Sequence, residues 1–314
     1  MLKQYDGLIA EVLEDIFEIT KSNDNELNKV IKKYFLNGGK RIRVLLLLIC
    51  AKLGNFKENR KDIIRLAGIV EIIHTASLIH DDIIDNAQTR RGNVTLNKKY
   101  GNYFALYVGD YLFSVVLNAI SEFEDERLHT YLVTTLKELC IGELIQEDDL
   151  YNVNTRRLDY LKKIKRKTAI LIAFSCVAGS IISGADDKDI ISSYRYGYYL
   201  GMSYQIVDDY LDFSGGNNLG KESGQDLING NMTLPAIIAR EYNNELFLDF
   251  CKDSSIEYKQ KIIDFIKNNE EILGQTLSVS VRYLEKARFV IRDMDKKTRL
   301  ELEYVMNKLA RRDK

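Results

Sequence analysis

The chain has 314 residues, 45 Lys+Arg against 46 Asp+Glu, and a formal net charge of −1. That balance excludes a nucleic-acid binder driven by bulk positive charge. Hydrophobic residues make up 46% of the sequence, enough for a large core, and the length suits one large domain or two ordinary ones.

The predicted elements run as follows. A single proline, Pro235, and apolar residues spaced three and four apart predict an all-α chain. Met1 to Phe17 is charged and amphipathic rather than leader-like, so a cytoplasmic protein is expected. Leu8, Val12, Leu13, Ile16 and Ile19 mark a helix over 2–20. Helices over 25–36 and 40–53 follow, separated at Gly38-Gly39. Ile63, Leu66, Ala67, Val70 and Ile73 mark a long helix over 58–87, and the next runs over 94–121. Then come 126–150, 156–184 and 187–214. The uncharged run from Ala169 to Ala185 is interrupted by Ser, Gly and Cys and reads as a buried core helix rather than a membrane span. After an irregular segment, Ser214 to Gly230, helices are predicted over 233–242, 256–268, 271–291 and 295–311. No linker or repeat divides the sequence, so a single all-helical domain over 1–314 is expected. Cys50, Cys140, Cys176 and Cys251 show neither a disulfide framework nor zinc spacing; the first three lie in apolar runs and are expected to be buried free thiols.

Inside this pattern sit two acidic groups. His80-Asp-Asp-Ile-Ile-Asp85 places Asp81 and Asp85 on one helix face, with Asp82 roughly 100° round the same turn. Residues 205–212, Gln-Ile-Val-Asp-Asp-Tyr-Leu-Asp, repeat the spacing with Asp208, Asp209 and Asp212. Close carboxylates in apolar sequence repel, and a cation removes that cost. All-oxygen ligands suit Mg²⁺, held by a few carboxylates plus substrate phosphates. The two groups are expected to face each other across a bundle core. Cations lie nearby in sequence. Arg90-Arg91-Gly92 follows the first group, and either ion pairing or anion recognition accounts for it. Gly38-Gly39-Lys40-Arg41-Ile42-Arg43 offers a tight turn, basic side chains and a helix N-terminus to an anion. Lys167-Thr168 and Gly220-Lys221 add candidate phosphate contacts. His74 and His80 flank the first group, as core residues or as ligand contacts. Together these residues suggest a diphosphate clamped as a leaving group.

The motifs Gly38-Gly-Lys-Arg-Ile-Arg43, His74, His80–Asp85, Arg90-Arg-Gly92, Gly142-Glu-Leu-Ile-Gln146, Lys167-Thr168, Gln205–Asp212 and Gly220-Lys-x-x-Gly-x-Asp-Leu227, in this order, resemble the trans-isoprenyl diphosphate synthases. Within that family the chain looks most like the large catalytic component of heptaprenyl diphosphate synthases. The resemblance implies an orthogonal helical bundle of the isoprenoid synthase type with a central cavity. It implies successive 1′-4 head-to-tail condensation of isopentenyl diphosphate onto an allylic diphosphate, farnesyl or geranylgeranyl. The allylic diphosphate binds through two or three Mg²⁺ ions and ionises, the double bond of isopentenyl diphosphate attacks, and a proton leaves to pyrophosphate. By the same resemblance, Asp81, Asp82, Asp85, Asp208 and Asp212 hold metal. Arg90, Lys167, Thr168, Gln205 and Lys221 serve the allylic substrate, with Lys167 and Gln205 also catalytic. Lys40, Arg43, His74 and Arg91 grip isopentenyl diphosphate.

Two residues depart from the family pattern: Val44 stands where proline is usual, with only a local effect expected, and Asn231 replaces a lysine that contacts diphosphate. The helix before Asp81 reads as a ruler. Ser77 and Ala76 are small, so a growing chain is expected to pass them towards Ile73, giving a C30–C40 product with heptaprenyl foremost. The partners expected from the resemblance are a second copy or a small non-catalytic subunit, with transient membrane association for product release; the helices over 94–121 and 126–150 are the candidate interfaces. The competing readings are a geranylgeranyl or farnesyl synthase, a terpene cyclase, and a catalytically silent helical subunit. The complete second acidic group argues against the last two.

Overall fold

A computed structural model of the chain describes residues 2–214 and 223–310. The regular secondary structure of the described residues is helical apart from one two-stranded hairpin. They form two compact units. One comprises residues up to Tyr131 together with Ser175–Ile191; the other comprises Leu132–Phe174 and the described residues from Ser192 onward.

The first unit contains α1 (Asp6–Ile19), α2 (Asn25–Leu36), α3 (Ile42–Cys50), α4 (Arg60–Ile84), β1 (Thr89–Arg90), β2 (Asn93–Val94), α5 (Leu96–Tyr100) and α6 (Asn102–Ile120). Helix α4 is central and packs against α1, α3 and α6. Its residues Ile63, Leu66, Ala67, Val70, Ile73 and Ala76 are fully buried, so apolar side chains surround most of its length. Asp24 caps α2 by accepting the backbone N–H groups of Glu26 and Leu27 at 2.8 and 3.1 Å. The hairpin pairs Thr89 with Val94 and Arg90 with Asn93. Its two turn residues, Arg91 and Gly92, have φ of 52° and 76°, the left-handed pair that a tight antiparallel turn requires.

Helix α7 (Glu126–Asp148) leads into the second unit, followed by α8 (Arg157–Ile164), a single π-turn over Lys165–Ala169, α9 (Ile170–Ile182), α10 (Asp187–Ser214), α11 (Gln225–Ile228), α12 (Leu234–Tyr242), α13 (Ile256–Lys267), α14 (Glu270–Val290) and α15 (Lys296–Ala310). Helices α7, α9 and α10 each have residues in both units. The second unit buries Tyr160, Phe213, Met232, Ile237, Ile263 and Ile266 in one cluster. Pro235 occupies the first turn of α12, where its missing N–H has no helical partner to lose. The apolar run that starts at Ala169, the last residue of the π-turn, continues through α9, which is buried as far as Ile181.

Three expectations are corrected. The helix read over 94–121 breaks at Gly101, whose φ of 91° no right-handed helix accommodates. The helix read over 156–184 contains the π-turn, which re-registers the side chains on either side. Cys140 is exposed, because its apolar neighbours lie on other faces of α7; Cys50 and Cys176 are buried.

Candidate active site

Helix α4 ends at the first acidic group: the backbone N–H of Asp85, its C-cap, bonds to the carbonyl of Asp81. The negative end of the helix dipole therefore adds to three carboxylates. Asp82 is 2% exposed, Asp81 half-buried and Asp85 exposed. Arg90 donates from Nε to Oδ1 of Asp82 at 2.6 Å, and the hairpin that carries Arg90 sets this reach. Asn97 donates to the backbone carbonyls of Asp82 and Ala87 at 2.9 and 3.1 Å, tying the start of α5 to the end of α4. Burial raises the Asp82 carboxyl above its usual range; Arg90 pulls it back and Asp85 pushes it further up. Tyr34 on α2 is raised to about 12, by burial first and by the Asp82 charge second.

A cavity of about 380 Å³ opens beside this group. His74, Arg90, Arg91, Gly38, Tyr34, Glu71, Lys33 and Lys99 line it, with Val30, Phe35, Leu78 and Leu96 as apolar wall. Of the four residues read as gripping one diphosphate, His74 and Arg91 line this cavity, while Lys40 and Arg43 do not. The Arg91 guanidinium lies over Gly39, where an added Cβ would approach within 2.9 Å, so the glycine makes this close approach possible. Burial drives the His74 imidazole well below its usual range, and the charges of Arg43, Arg91 and Arg90 add to that. His74 is therefore neutral. Its neighbour on the same helix, Glu71, is 5% exposed and pushed up by burial against the pull of Arg43, Arg41 and Arg91. His80 is turned towards α6: Nε2 lies 3.2 Å from the Leu106 carbonyl and 3.6 Å from Asp110. It acts as a packing and orienting residue rather than a cavity contact. Val44 is buried in the first turn of α3, a position that tolerates proline, in keeping with a local effect.

The second acidic group lies at the C-terminal end of α10. Asp208 is exposed, Asp212 half-buried and Asp209 3% exposed. Asp212 accepts the backbone N–H groups of Gln225 and Asp226 at 3.2 Å each, which brings a fourth carboxyl, Asp226, to the group. Burial, then the charges of Asp209, Asp212 and Asp208, raise Asp226 to about 8, with Lys167 opposing. Burial raises Asp209 to about 7 despite hydrogen bonds from Tyr160 and Gln205. Lys167, within the π-turn, bonds to Gln146 Oε1 at 2.8 Å and Glu143 Oε2 at 2.9 Å on α7. Thr168 donates to Gln205 Oε1 at 2.6 Å. Lys221 lies outside the described residues. Asn231 Oδ1 and Thr233 Oγ1 are buried with no hydrogen-bond partner among the described residues, so this edge carries neutral oxygens where lysine would carry a cation.

Among the described residues, no three Asp, Glu, His or Cys side chains gather closely enough to hold a metal ion by themselves. The donor set nevertheless fits Mg²⁺. In each unit the acidic donors are all oxygen and lie at the C-terminal end of a long helix, where the dipole adds negative charge that a divalent cation and substrate phosphates would balance. Sequence reasoning missed Tyr160, Glu71, Tyr34 and the roles of Glu143 and Asp226, which lie inside recognised motifs. Glu71 and Tyr160 belong to no motif, and their partners lie far away in sequence.

Each unit of this all-α chain thus carries a long helix that ends in paired aspartates, with guanidinium or ammonium groups close by. Residues 24–266 match the Polyprenyl synthetase family, and the chain belongs to it. Heptaprenyl diphosphate synthase component 2 of Bacillus subtilis (strain 168) is 41% identical over 282 residues, 88% of this chain and 80% of that protein. The crystal structure of heptaprenyl diphosphate synthase from Staphylococcus aureus matches with a TM-score of 0.94 at 30% identity, covering 98% of each chain. That of polyprenyl synthase from Caulobacter crescentus CB15, complexed with calcium and isoprenyl diphosphate, matches with a TM-score of 0.90 at 27% identity, over 99% of this chain and 97% of that one. The protein is a long-chain trans-prenyltransferase.

Proposed function

We propose that the protein makes heptaprenyl diphosphate by repeated addition of isopentenyl diphosphate to an allylic primer, and that it works with a small partner chain. The observation that carries the chemistry is the pair of acidic groups at the carboxyl ends of α4 and α10, each with carboxyls raised above their usual range. Asp81, Asp82 and Asp85, with Asp208 and Asp212, would hold Mg²⁺. Once bound, Mg²⁺ would supply charge neutralisation that makes pyrophosphate a better leaving group. Arg90, Lys167, Thr168, Gln205 and Lys221 orient the allylic diphosphate. Lys40, Arg43, His74 and Arg91 bind isopentenyl diphosphate, where a neutral His74 donates a hydrogen bond without adding charge.

The product length rests on α4. Ala76 and Ile73 are fully buried and Ser77 is half-buried, its hydroxyl turned back to the His74 carbonyl at 2.9 Å. The small side chains of Ala76 and Ser77 support the reading of α4 as a ruler, since an apolar chain that passes them would gain roughly 0.8 kcal/mol per buried CH₂. Support for the partner comes from the Bacillus relative, which is named as component 2 of its synthase. The test is release of pyrophosphate from an allylic diphosphate plus isopentenyl diphosphate, with and without Mg²⁺ and a candidate small chain. No release under any condition defeats the enzyme reading. Products of C30 or longer from the chain alone defeat the requirement for a partner.

A further inference from the structure

We infer that Tyr160 and Asp209 are positioning residues: a hydrogen-bond chain of fixed direction, Tyr160–Asp209–Gln205–Thr168, sets Gln205 and Thr168 in one orientation before substrate arrives. The inference rests on the proposed role of Gln205 and Thr168 at the allylic substrate.

Tyr160 on α8 is 1% exposed, and its hydroxyl donates to Oδ2 of Asp209 at 2.6 Å. The other carboxylate oxygen, Oδ1, accepts from Nε2 of Gln205 at 2.8 Å, one turn back on α10. Gln205 Oε1 then accepts the Thr168 hydroxyl at 2.6 Å. Ionised, Asp209 accepts and does not donate, so Gln205 turns its NH₂ towards it, as the 2.8 Å contact to Oδ1 has it. Its carbonyl is then the only end left for Thr168, and the Thr168 proton is committed to it. The amide has one orientation, fixed by chemistry rather than by packing. Both oxygens of Asp209 are engaged within the protein and the side chain is buried, whereas its neighbour Asp208 is exposed. Adjacent aspartates thus divide the work, Asp208 facing outward and Asp209 anchoring the two groups that meet the substrate. Preset donors and acceptors need no reorganisation during reaction, which is how such a chain raises rate.

The test uses the full chain, with its partner where activity requires one. Three variants are compared with wild type: Y160F, Q205E and Q205E/D209N. Steady-state kinetics follow the first condensation of farnesyl with isopentenyl diphosphate, and calorimetry follows Mg²⁺-dependent binding of farnesyl thiolodiphosphate, an unreactive analogue. Y160F should lower kcat about tenfold with little change in KM for isopentenyl diphosphate. Q205E sets two carboxylates together with no donor between them and should lose about 10²-fold in kcat. The double variant restores every direction. The amide introduced at position 209 accepts from Tyr160 and donates to the carboxylate introduced at position 205, which accepts from Thr168. It should recover at least about tenfold over Q205E. A purely structural tyrosine would lower the melting temperature of Y160F with kcat unchanged, and that result overturns the inference. So does a double variant no better than Q205E. Wild-type protein that neither elongates nor binds the analogue overturns the proposed function, and this inference with it; wild-type activity with unmoved variants overturns the inference alone.

Discussion

Gly201 is where packing and chemistry are most tightly joined. It lies on α10, four residues before Gln205, and passes directly over the π-turn. A methyl group there would stand 2.6 Å from Ala169 Cα and 3.0 Å from its Cβ. Ordinary contact begins near 3.4 Å, so Gly201→Ala must part the two backbones by about 0.8 Å. The contact is backbone to backbone, with no flexible side-chain end to yield. Thr168 neighbours Ala169, so the same shift stretches its 2.6 Å bond to Gln205 towards the limit of a hydrogen bond. Overpacking costs about 1–3 kcal/mol. Replacing a helical glycine by alanine returns up to about 1 kcal/mol. At about 2–4 °C per kcal/mol, the net loss should lower the melting temperature by a few degrees. Activity should fall further than stability, by about 10²-fold, because a misplacement near 1 Å disrupts alignment. Scanning calorimetry and radiolabelled product formation measure the two effects together. Wild-type kcat in Gly201→Ala, with or without a change in melting temperature, would refute the coupling of this contact to the site.

Ser77→Phe should shorten the product distribution on chromatography by carbon number, whereas Ala76→Tyr, at a fully buried position, should also destabilise by about 1–3 kcal/mol. Unchanged product lengths in both would remove α4 as the ruler. Arg90→Leu leaves the buried Asp82 without its 2.6 Å partner. Breaking a buried pair costs about 3–5 kcal/mol, less here because Arg90 is 31% exposed, so urea titration should show a loss of about 1–3 kcal/mol. Asp82→Asn in that background should regain stability; no loss in the single variant contradicts the pairing. His74 has a folded pKa well below its ordinary 6.5, so the unfolded chain takes up the proton first and stability declines as pH falls through about 6.5. His74→Gln should flatten the drop in melting temperature between about pH 7 and pH 5.5. An equally steep decline in both proteins would show that His74 is not the group responsible.

The helical framework was legible because apolar residues repeat at helical spacing, and both acidic groups announced themselves by carrying charge inside that pattern. Local geometry was less visible. Gly101 sits between two helices that share one apolar period, so only its backbone angle separates them. The Arg91-Gly92 turn makes a hairpin from strands of two residues each, too short for any alternation to register. The π-turn at Lys165–Ala169 has no sequence signature, yet it sets where Lys167 and Thr168 point. Partnerships distant in sequence were invisible for the same reason. Tyr160 with Asp209, and Glu71 with Arg41, Arg43 and Arg91, depend on chain crossings that spacing does not encode. Asp226 was readable as part of a motif, but its place beside Asp212 follows from a helix cap seen only in three dimensions.

The central claim is that this chain extends an allylic primer to a heptaprenyl length. The most direct measurement is an incubation with farnesyl diphosphate, isopentenyl diphosphate and Mg²⁺, with and without a candidate small subunit, and with products resolved by carbon number. The account predicts a dominant C35 product when the partner is present and little long-chain product without it. A distribution ending at C20 in both incubations, or no elongation in either, would contradict it.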